Sequence, residues 1–566
     1  MLMQNKKYLM SLAAAALLWS CTDYDSFTPA QPKPNPGEVV EVVDAASQTS
    51  QYQSREYDGQ KRGDVFYEIY LRSFADGDGN GCGDLKGLTA KLDYLDELGV
   101  AGIWLMPPYL ASSEHGYDVM DYMKVHPDYG TMEDMEQMIR EAHKRKIRVI
   151  LDFVPNHMSM HSDWFKQAIL SVDNPYRSYF HFSDKEEGDR WYPVPKGGTE
   201  GYFYFGDFDK SMPDLNYGAA NSCQNSAAFK ALVKVAKFWI DKGVDGFRMD
   251  AVRHIYSNPD SDENPTWLRK FYDEVNGYFK GKSTLGFENL YMVGECWLGR
   301  DQIANYYHGI PGLFDFHTRD KINDVIRYSN ANWFPREIVD TRNIYQAQRQ
   351  GDFVQATFLS NHDQNRARTE FGGGYELSLA RAKMGAAILL TSIGEPFMYY
   401  GEELGMMGDK NREQNFQVGD RNVRTPMLWT EKSRDTYRTS WINSTLNNDL
   451  SIGNVDSQKG EANSILNIYR MFLRLRNTYP ALAKGSMTRP ENFDEGQNKP
   501  VMVFYREADG ERLLVLHNVS EQESTYEINH AIKAPIADMN HVTIQSEGDN
   551  QHKVTMPPYS SIIIEL

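Results

Sequence analysis

Eight short apolar runs recur along the middle of the chain, at 65–74, 102–108, 148–155, 244–251, 290–297, 312–317, 354–363 and 396–405, with helical patterns between them. Strands that alternate with helices run parallel, and eight of them close into a barrel whose functional side chains gather at the C-terminal strand ends. Two helical intervals are plain. Thr131 opens one whose Met135, Met138, Ile139 and Ala142 fall on a single face, and Phe229, Leu232, Ala236, Trp239 and Ile240 stripe another that Gly243 closes. The pattern predicts an α/β fold, a (β/α)8 TIM barrel, over 63–157 and 222–480.

Two intervals break the rhythm. The stretch between Pro155 and Ser226 is far longer than the ~2–6 residues of an ordinary βα connection, so 158–221 is expected to form a small inserted domain. After residue 480 the helical pattern gives way to short alternating runs at 501–507, 511–520, 524–530, 542–547 and 560–566, which predict a C-terminal antiparallel β-sandwich over 481–566.

The N-terminus carries Lys6 and Lys7, an apolar run from Tyr8 to Trp19, and then Ser20 and Cys21. That run is too short for a membrane span and is built like an export signal. Leu18-Trp19-Ser20-Cys21 resembles a lipobox, so 1–21 is expected to be a lipoprotein signal that leaves Cys21 lipidated, and the polar, proline-rich 22–62 to be a flexible tether. The other cysteines, Cys82, Cys223 and Cys296, are odd in number and widely spread, which suits neither a disulfide framework nor a zinc site. A net charge of −18 argues against nucleic acid or anionic lipid as partner and favours a neutral ligand. The membrane is then reached only through the N-terminal lipid.

Four stretches carry the chemistry: DFVPNH (152–157), GFRMDAVRH (246–254), GECW (294–297) and FLSNHD (358–363). They set Asp250, Glu295 and Asp363 at the ends of strands four, five and seven, where a barrel brings them to one cleft. Cleaving a glycosidic bond with retention needs a carboxylate nucleophile and a protonated carboxyl roughly 5 Å apart. Arg248, two residues before Asp250 on the same strand face, is expected to keep Asp250 ionised as the nucleophile. Glu295, beside Trp297, is expected to be the acid, its proton retained by an apolar wall and neighbouring carboxylates. Asp363 is expected to stabilise the oxocarbenium-like transition state.

These stretches, together with GYDVMDY (116–122), GEPFMYYGEELGM (394–406) and RTPMLW (424–429), resemble the conserved regions of the α-amylase family, glycoside hydrolase family 13. The resemblance covers about 63–566 and implies the same roles for Asp250, Glu295 and Asp363. It further implies sugar contacts from Tyr117 by stacking and from His157, Arg248 and His362 by hydrogen bonds. Ala251 followed by Arg253-His254 looks like true α-amylases, in which such a pair grips the sugar on the leaving-group side. Endo-cleavage of α-1,4 bonds in starch and maltooligosaccharides is therefore expected. GEPFMYYGEELGM and RTPMLW look closer to the oligo-1,6-glucosidase and neopullulanase or cyclomaltodextrinase branch, which is the alternative. A non-catalytic starch-binding protein is disfavoured because all three acids are kept.

The loop ADGDGNGCGDL (75–85) offers Asp76, Asp78, Asn80, the Cys82 carbonyl and Asp84 as hard oxygen ligands, a set that suits calcium. An EF-hand is disfavoured by Gly87, which stands where its bidentate glutamate belongs. The resemblance implies a second calcium held by Asn156, Asp214 and the His254 carbonyl. The leader, the acidic residues Asp23 and Asp25 behind Cys21, and the barrel together resemble cell-surface lipoprotein amylases of starch-utilisation systems. This implies an outer-membrane, outward-facing location in reach of a surface starch-binding complex, and a monomer is the default expectation. An insert this short leaves no room for a starch-binding module.

Overall fold

A computed structural model describes residues 45–410, 416–431, 433–442, 452–490 and 499–566. The export signal, Cys21 and the first part of the expected tether lie outside the described residues.

Eight parallel strands close a barrel in sequence order: β1 (Phe66–Ile69), β2 (Gly102–Leu105), β3 (Arg148–Phe153), β4 (Gly246–Met249), β5 (Tyr291–Gly294), β6 (Gly312–Phe314), β7 (Val354–Phe358) and β8 (Glu395–Tyr399), with β8 pairing back on β1. Apart from Glu395 at the start of β8, every strand residue is buried, which is why the strands read as unbroken apolar runs rather than alternating ones. Phe66, Trp104, Ile150, Val293, Phe314, Phe358 and Phe397 fill the interior as one apolar cluster. Gly246 is required where β4 meets β5, because a Cβ there would come within 2.1 Å of the Tyr291 carbonyl oxygen.

The helices start and stop where the sequence places them. Thr131 and Asp134 form a reciprocal capping box at the head of Met132–Lys144, and Ser226 accepts from the Phe229 N–H at the head of Ala227–Asp241. Gly243 follows that second helix at φ +97°, a conformation that disfavours any side chain.

Two excursions rise above the rim. A hairpin of Tyr109–Ala111 and Val119–Val125 follows β2, and the insert after β3 holds a three-stranded sheet of Phe182–Ser183, Phe203–Phe205 and Trp191–Pro193. An isolated bridge from His157 to Asp214 ties the insert to the segment that follows β3, and another from Phe180 to Leu215 joins two parts of the insert.

The C-terminal part is a sandwich. A five-stranded antiparallel sheet, in the order Ser486–Thr488, Val501–Ala508, Glu511–Asn518, Ser560–Glu565, Ala534–Met539, faces a three-stranded one of Ser524–Ile528, Gln551–Met556 and Thr543–Gly548. Val501, Val503, Leu514 and Ile562 meet Val554 and Met556 between the sheets, whereas Met502, Phe504, Val515 and Ile563 point the other way into the core shared with the barrel helices. Arg506, fully buried, donates to the carbonyls of Thr391, Gly485 and Ser486, and Arg476 donates to those of Gly63, Leu390 and Ser392 across the same seam.

The tether ends earlier than its composition implied. Ala45, Ala46 and Thr49 are buried, Ser50 and Gln51 bond the Asp538 carboxylate, and the Arg55 N–H donates to the Tyr479 hydroxyl, so 45–62 is bound to the body rather than free. Polar side chains here satisfy a strand of the sandwich instead of water.

Candidate active site

The parallel ladder between β4 and β5 pairs Met249 with Gly294, so Asp250 and Glu295 occupy the next step on adjacent strands. The Glu295 N–H donates to the Met249 carbonyl at 2.9 Å, which carries the ladder one residue further. Ala251 then turns into the left-handed region at φ +46°, a conformation that costs an alanine ~1–2 kcal/mol. Its N–H thereby reaches Glu295 Oε2 at 2.9 Å and fixes that carboxyl over Asp250.

Arg248 is fully buried beneath both acids. Its Nη1 donates to Asp250 Oδ1 at 2.6 Å and to Asp152 Oδ1 at 3.0 Å, and its Nη2 lies 3.6 Å from Glu295 Oε2. Trp104 Nε1 and the Tyr117 hydroxyl both donate to Asp152 Oδ2, at 3.1 and 3.0 Å. One cation thus serves three carboxyl groups. Burial, reinforced by the charges of Glu295 and Asp152, outweighs Arg248 and pushes Asp250 up to about 8. The expectation that Arg248 alone keeps Asp250 ionised omitted Asp152, which takes a share of that charge and is itself raised by burial. Nor does Trp297 wall in Glu295: it is 49% exposed and stacks on Phe316 at 5.0 Å.

Asp363 lies five residues past β7 beside the buried His362. His362 Nδ1 bonds Glu68 of β1 at 2.5 Å, while Nε2 meets the Tyr117 hydroxyl at 2.6 Å and Asp363 Oδ2 at 3.0 Å. Burial alone would lower the imidazole, but Asp363 and Glu68 on its two sides raise it to about 9, so His362 is an imidazolium at neutral pH. Burial would likewise raise Asp363. His362, Arg424 at 2.9 Å and Lys410 overcome it and hold the carboxyl well below its usual range. The Tyr117 ring lies nearly parallel to His362, 5.4 Å away, forming one wall of the site.

His157 is buried with Nδ1 toward the Asn156 amide, and its Nε2 finds no partner among the described residues. Burial holds it near 4, hence neutral. Arg253 Nε donates to His254 Nε2 at 2.9 Å, which leaves the His254 proton on Nδ1 to donate to Asp207 at 2.6 Å. Burial and then Arg253 hold His254 near 4. The pair expected to grip sugar is therefore engaged with itself and with the insert. Phe208, 47% exposed, bridges His157 and His254 with ring centroids at 5.2 and 4.8 Å.

With this cleft on an eight-stranded barrel in view, the family model described as "Alpha amylase, catalytic domain" matches residues 68–485. The chain belongs to the α-amylase family. A second model, "Alpha-amylase SusG C-terminal domain", matches 501–563. The chain is 37% identical to "Alpha-amylase 3" of Dictyoglomus thermophilum over 89% of its length and 93% of the relative. It is 31% identical to "Alpha-amylase SusG" of Bacteroides thetaiotaomicron over 97% of each chain, in an alignment of 696 positions that exceeds these 566 residues, so that relative carries insertions. Among solved structures, the α-amylase from H. orenii superposes with a TM-score of 0.75 at 31% identity, covering 88% of this chain and 99% of that one.

In this α-amylase-family hydrolase the loop after β1 draws Asp76, Asp78 and Asp84 together, with ligand oxygens within 4.8 Å of one another. Gly79 and Gly81 N–H groups hold Asp76, and Asp84 accepts from Gly77, Asp78 and Gly87. Three carboxylates at this spacing fit a hard cation. Asn80 is turned inward on its own loop, bonding Asp78 and the Cys82 N–H. The second set assembles only in part. Asn156 donates to Asp214 at 3.2 Å, but the other Asp214 oxygen accepts from the Asp207 N–H, and Arg190 pairs with the Asp207 carboxylate beside it. One charged ligand facing a nearby guanidinium is a poor cation cage. Cys82, Cys223 and Cys296 are free and buried.

Asp152, Glu68, Arg424 and Asp207 belong to the site and were not singled out from the sequence. Asp152 and Glu68 are charges inside apolar strand runs, a signal that a buried ionic network exists. Asp207 lies in the irregular insert and carries no such mark.

Proposed function

We propose that the protein is a retaining glycosidase that cleaves internal α-1,4 bonds of starch and maltooligosaccharides. The observation that carries this reading is the single Arg248 guanidinium shared by Asp250 and Glu295 on adjacent strands, which suits the ~5 Å separation of a double displacement. The buried cluster retains a proton in the free cleft. As positive charge develops at the anomeric carbon, it draws Asp250 to the carboxylate that attacks, and Glu295 delivers the proton to the leaving oxygen. Glu295 then takes a proton from the water that cleaves the glycosyl ester. Asp363, kept anionic by His362 and Arg424, faces the charged ring. Tyr117 stacks on the sugar, and His157 Nε2, unpartnered in its buried position, accepts from or donates to a hydroxyl.

Ala251 with Arg253-His254 favours α-1,4 specificity, and GEPFMYYGEELGM favours the α-1,6 and pullulan branch. Cys21 is proposed as the lipid anchor at the outer surface. Starch-hydrolysing activity in the membrane fraction, released by Cys21→Ser, tests anchor and activity together. Chromatography of products from amylose, pullulan and panose then decides the bond: mixed maltooligosaccharides from amylose with panose intact support this reading, and glucose from panose alone overturns it.

The cation loop is proposed to hold one structural calcium through Asp76, Asp78 and Asp84. A chelator is expected to lower Tm by roughly 5 °C or more, with recovery on calcium but not magnesium. An unchanged Tm removes the metal from the proposal.

A further inference from the structure

β8 ends at Tyr399, and the turn that follows drives two acids into the packed layer between barrel and helices. Gly401 and Gly405, both in left-handed backbone, bracket Glu402–Leu404, and the side chains of Glu402 and Glu403 are buried. We infer that Glu402 is a positioning residue for the hydrolysis: through Ser360 it holds the turn that presents His362 and Asp363 to the cleft. The inference rests on the reading of Asp363 as the group that faces the charged ring.

The bonds divide between the two acids. Glu403 Oε1 accepts from the hydroxyls of Tyr67 on β1 at 2.7 Å and of Tyr94 in the helix Leu92–Leu98 at 2.6 Å, which moors the turn. Glu402 reaches the other way. Its Oε1 meets the Tyr469 hydroxyl of the helix Ile465–Thr478 at 2.9 Å, and its Oε2 meets the Ser360 hydroxyl at 3.0 Å. The latter is the only hydrogen bond of the Ser360 side chain among the described residues. Ser360 stands two residues past β7, and the next residue, Asn361, accepts from the Asp363 N–H through its amide oxygen at 2.9 Å. A short run of chain thus passes one constraint from Glu402 to Asp363, whose carboxylate His362 and Arg424 hold.

No cation bonds either acid among the described residues. Arg366, whose charge Glu402 feels, donates instead to the Tyr400 carbonyl at 2.6 Å and lies over the rings of Tyr399 and Tyr400 at 4.5 and 4.7 Å. Burial, with Glu403 alongside, outweighs the two hydroxyls and raises Glu402 to about 8, so it keeps a proton at neutral pH. A neutral carboxyl has one oxygen that accepts and one O–H that donates, and a hydroxyl partner serves either role. Glu402 therefore acts on its neighbours through a fixed pair of hydrogen bonds rather than through charge. A glutamine amide reproduces that pair, and a leucine of similar size reproduces none of it.

The test uses the full chain at neutral pH with starch as substrate. Ser360→Ala is expected to lower kcat about 3- to 10-fold and Glu402→Leu about 5- to 30-fold, with KM within about twofold of the parent, because a displaced Asp363 weakens binding of the transition state alone. Glu402→Gln is expected to keep kcat within about twofold. The double variant Glu402→Leu/Ser360→Ala is expected to lose no more than the worse single one, since both cut the same link. A merely structural Glu402 would lower Tm without changing kcat per folded molecule, so parent-like kcat in folded Glu402→Leu and Ser360→Ala overturns the inference. Additive losses overturn the route through Ser360, and a Glu402→Gln loss as deep as that of Glu402→Leu overturns the action through neutral hydrogen bonds. If Glu402→Leu fails to fold, Ser360→Ala and Glu402→Gln carry the test by the same criteria. Asp363→Asn, measured alongside, separates the failures. A loss there without one in Ser360→Ala overturns only the positioning role of Glu402, whereas parent-like kcat in Asp363→Asn overturns the role proposed for Asp363.

Discussion

Asp250→Asn is expected to lower kcat on starch by on the order of 10⁴-fold, about 5.5 kcal/mol of transition-state stabilisation, with little change in KM. The carboxamide keeps the volume of the side chain and an oxygen for the 2.6 Å bond from Arg248 Nη1, so the cleft retains its shape while the nucleophile is lost. Roles separate by chemistry as well as by rate. With azide and an activated α-glucoside, Asp250→Gly has no internal nucleophile, so one displacement inverts the centre and gives the β-azide. Glu295→Ala still forms the β-linked ester on Asp250, and azide then attacks it to give the α-azide. Exchange of these two products, or a kcat within tenfold of the parent in Asp250→Asn, would reverse or remove the assignment.

Glu68→Gln is expected to cost roughly 10- to 100-fold in kcat and to move the alkaline limb of the pH–rate profile down by a unit or more. Glu68 touches no sugar in this reading. It is a positioning residue that acts through His362, which it bonds at 2.5 Å and helps to raise to about 9. With the neutral amide, His362 loses its proton nearer its ordinary value of ~6.5, and Asp363 loses a cationic neighbour. The sign follows from the shift. The native state binds the His362 proton more tightly than the unfolded chain does, so this stabilisation is complete below about 6.5 and is lost as pH rises through about 9. The Tm gap between parent and variant is accordingly expected to be widest near pH 6.5 and to close toward pH 10. A purely structural Glu68 would lower Tm evenly and leave the pH limb in place.

What the sequence disclosed follows from the physics of the barrel. Strands buried on both faces leave long apolar runs, and acids one step past β4 and β5 stand out at their ends, so Asp250 and Glu295 were legible without coordinates. Their charge state was not. It depends on how many carboxyls share Arg248, and Asp152 joins that group only because β3 and β4 pair Asp152 directly with Arg248 across the barrel wall. The same limit hid Glu68, 294 residues from His362 in sequence yet in direct contact with it. In the terminal sandwich, Ala534–Met539 escaped notice because proline and aspartate interrupt its apolar run, and Gln551–Met556 because only Val554 and Met556 on its alternating buried face are apolar; their pairing partners supply the order instead. Residues 45–62 carried the composition of a linker, and only distant acceptors such as Asp538 reveal them as bound.

The terminal sandwich turns Met502, Phe504, Val515 and Ile563 toward the helices of the barrel, and Arg506 reaches the Thr391 carbonyl from the same side. It is thus a foundation rather than a pendant module. Proteolysis within it would strip the floor from under the catalytic unit and leave a greasy underside prone to self-association. Any attempt to transplant the barrel onto a different scaffold has to bring this base along.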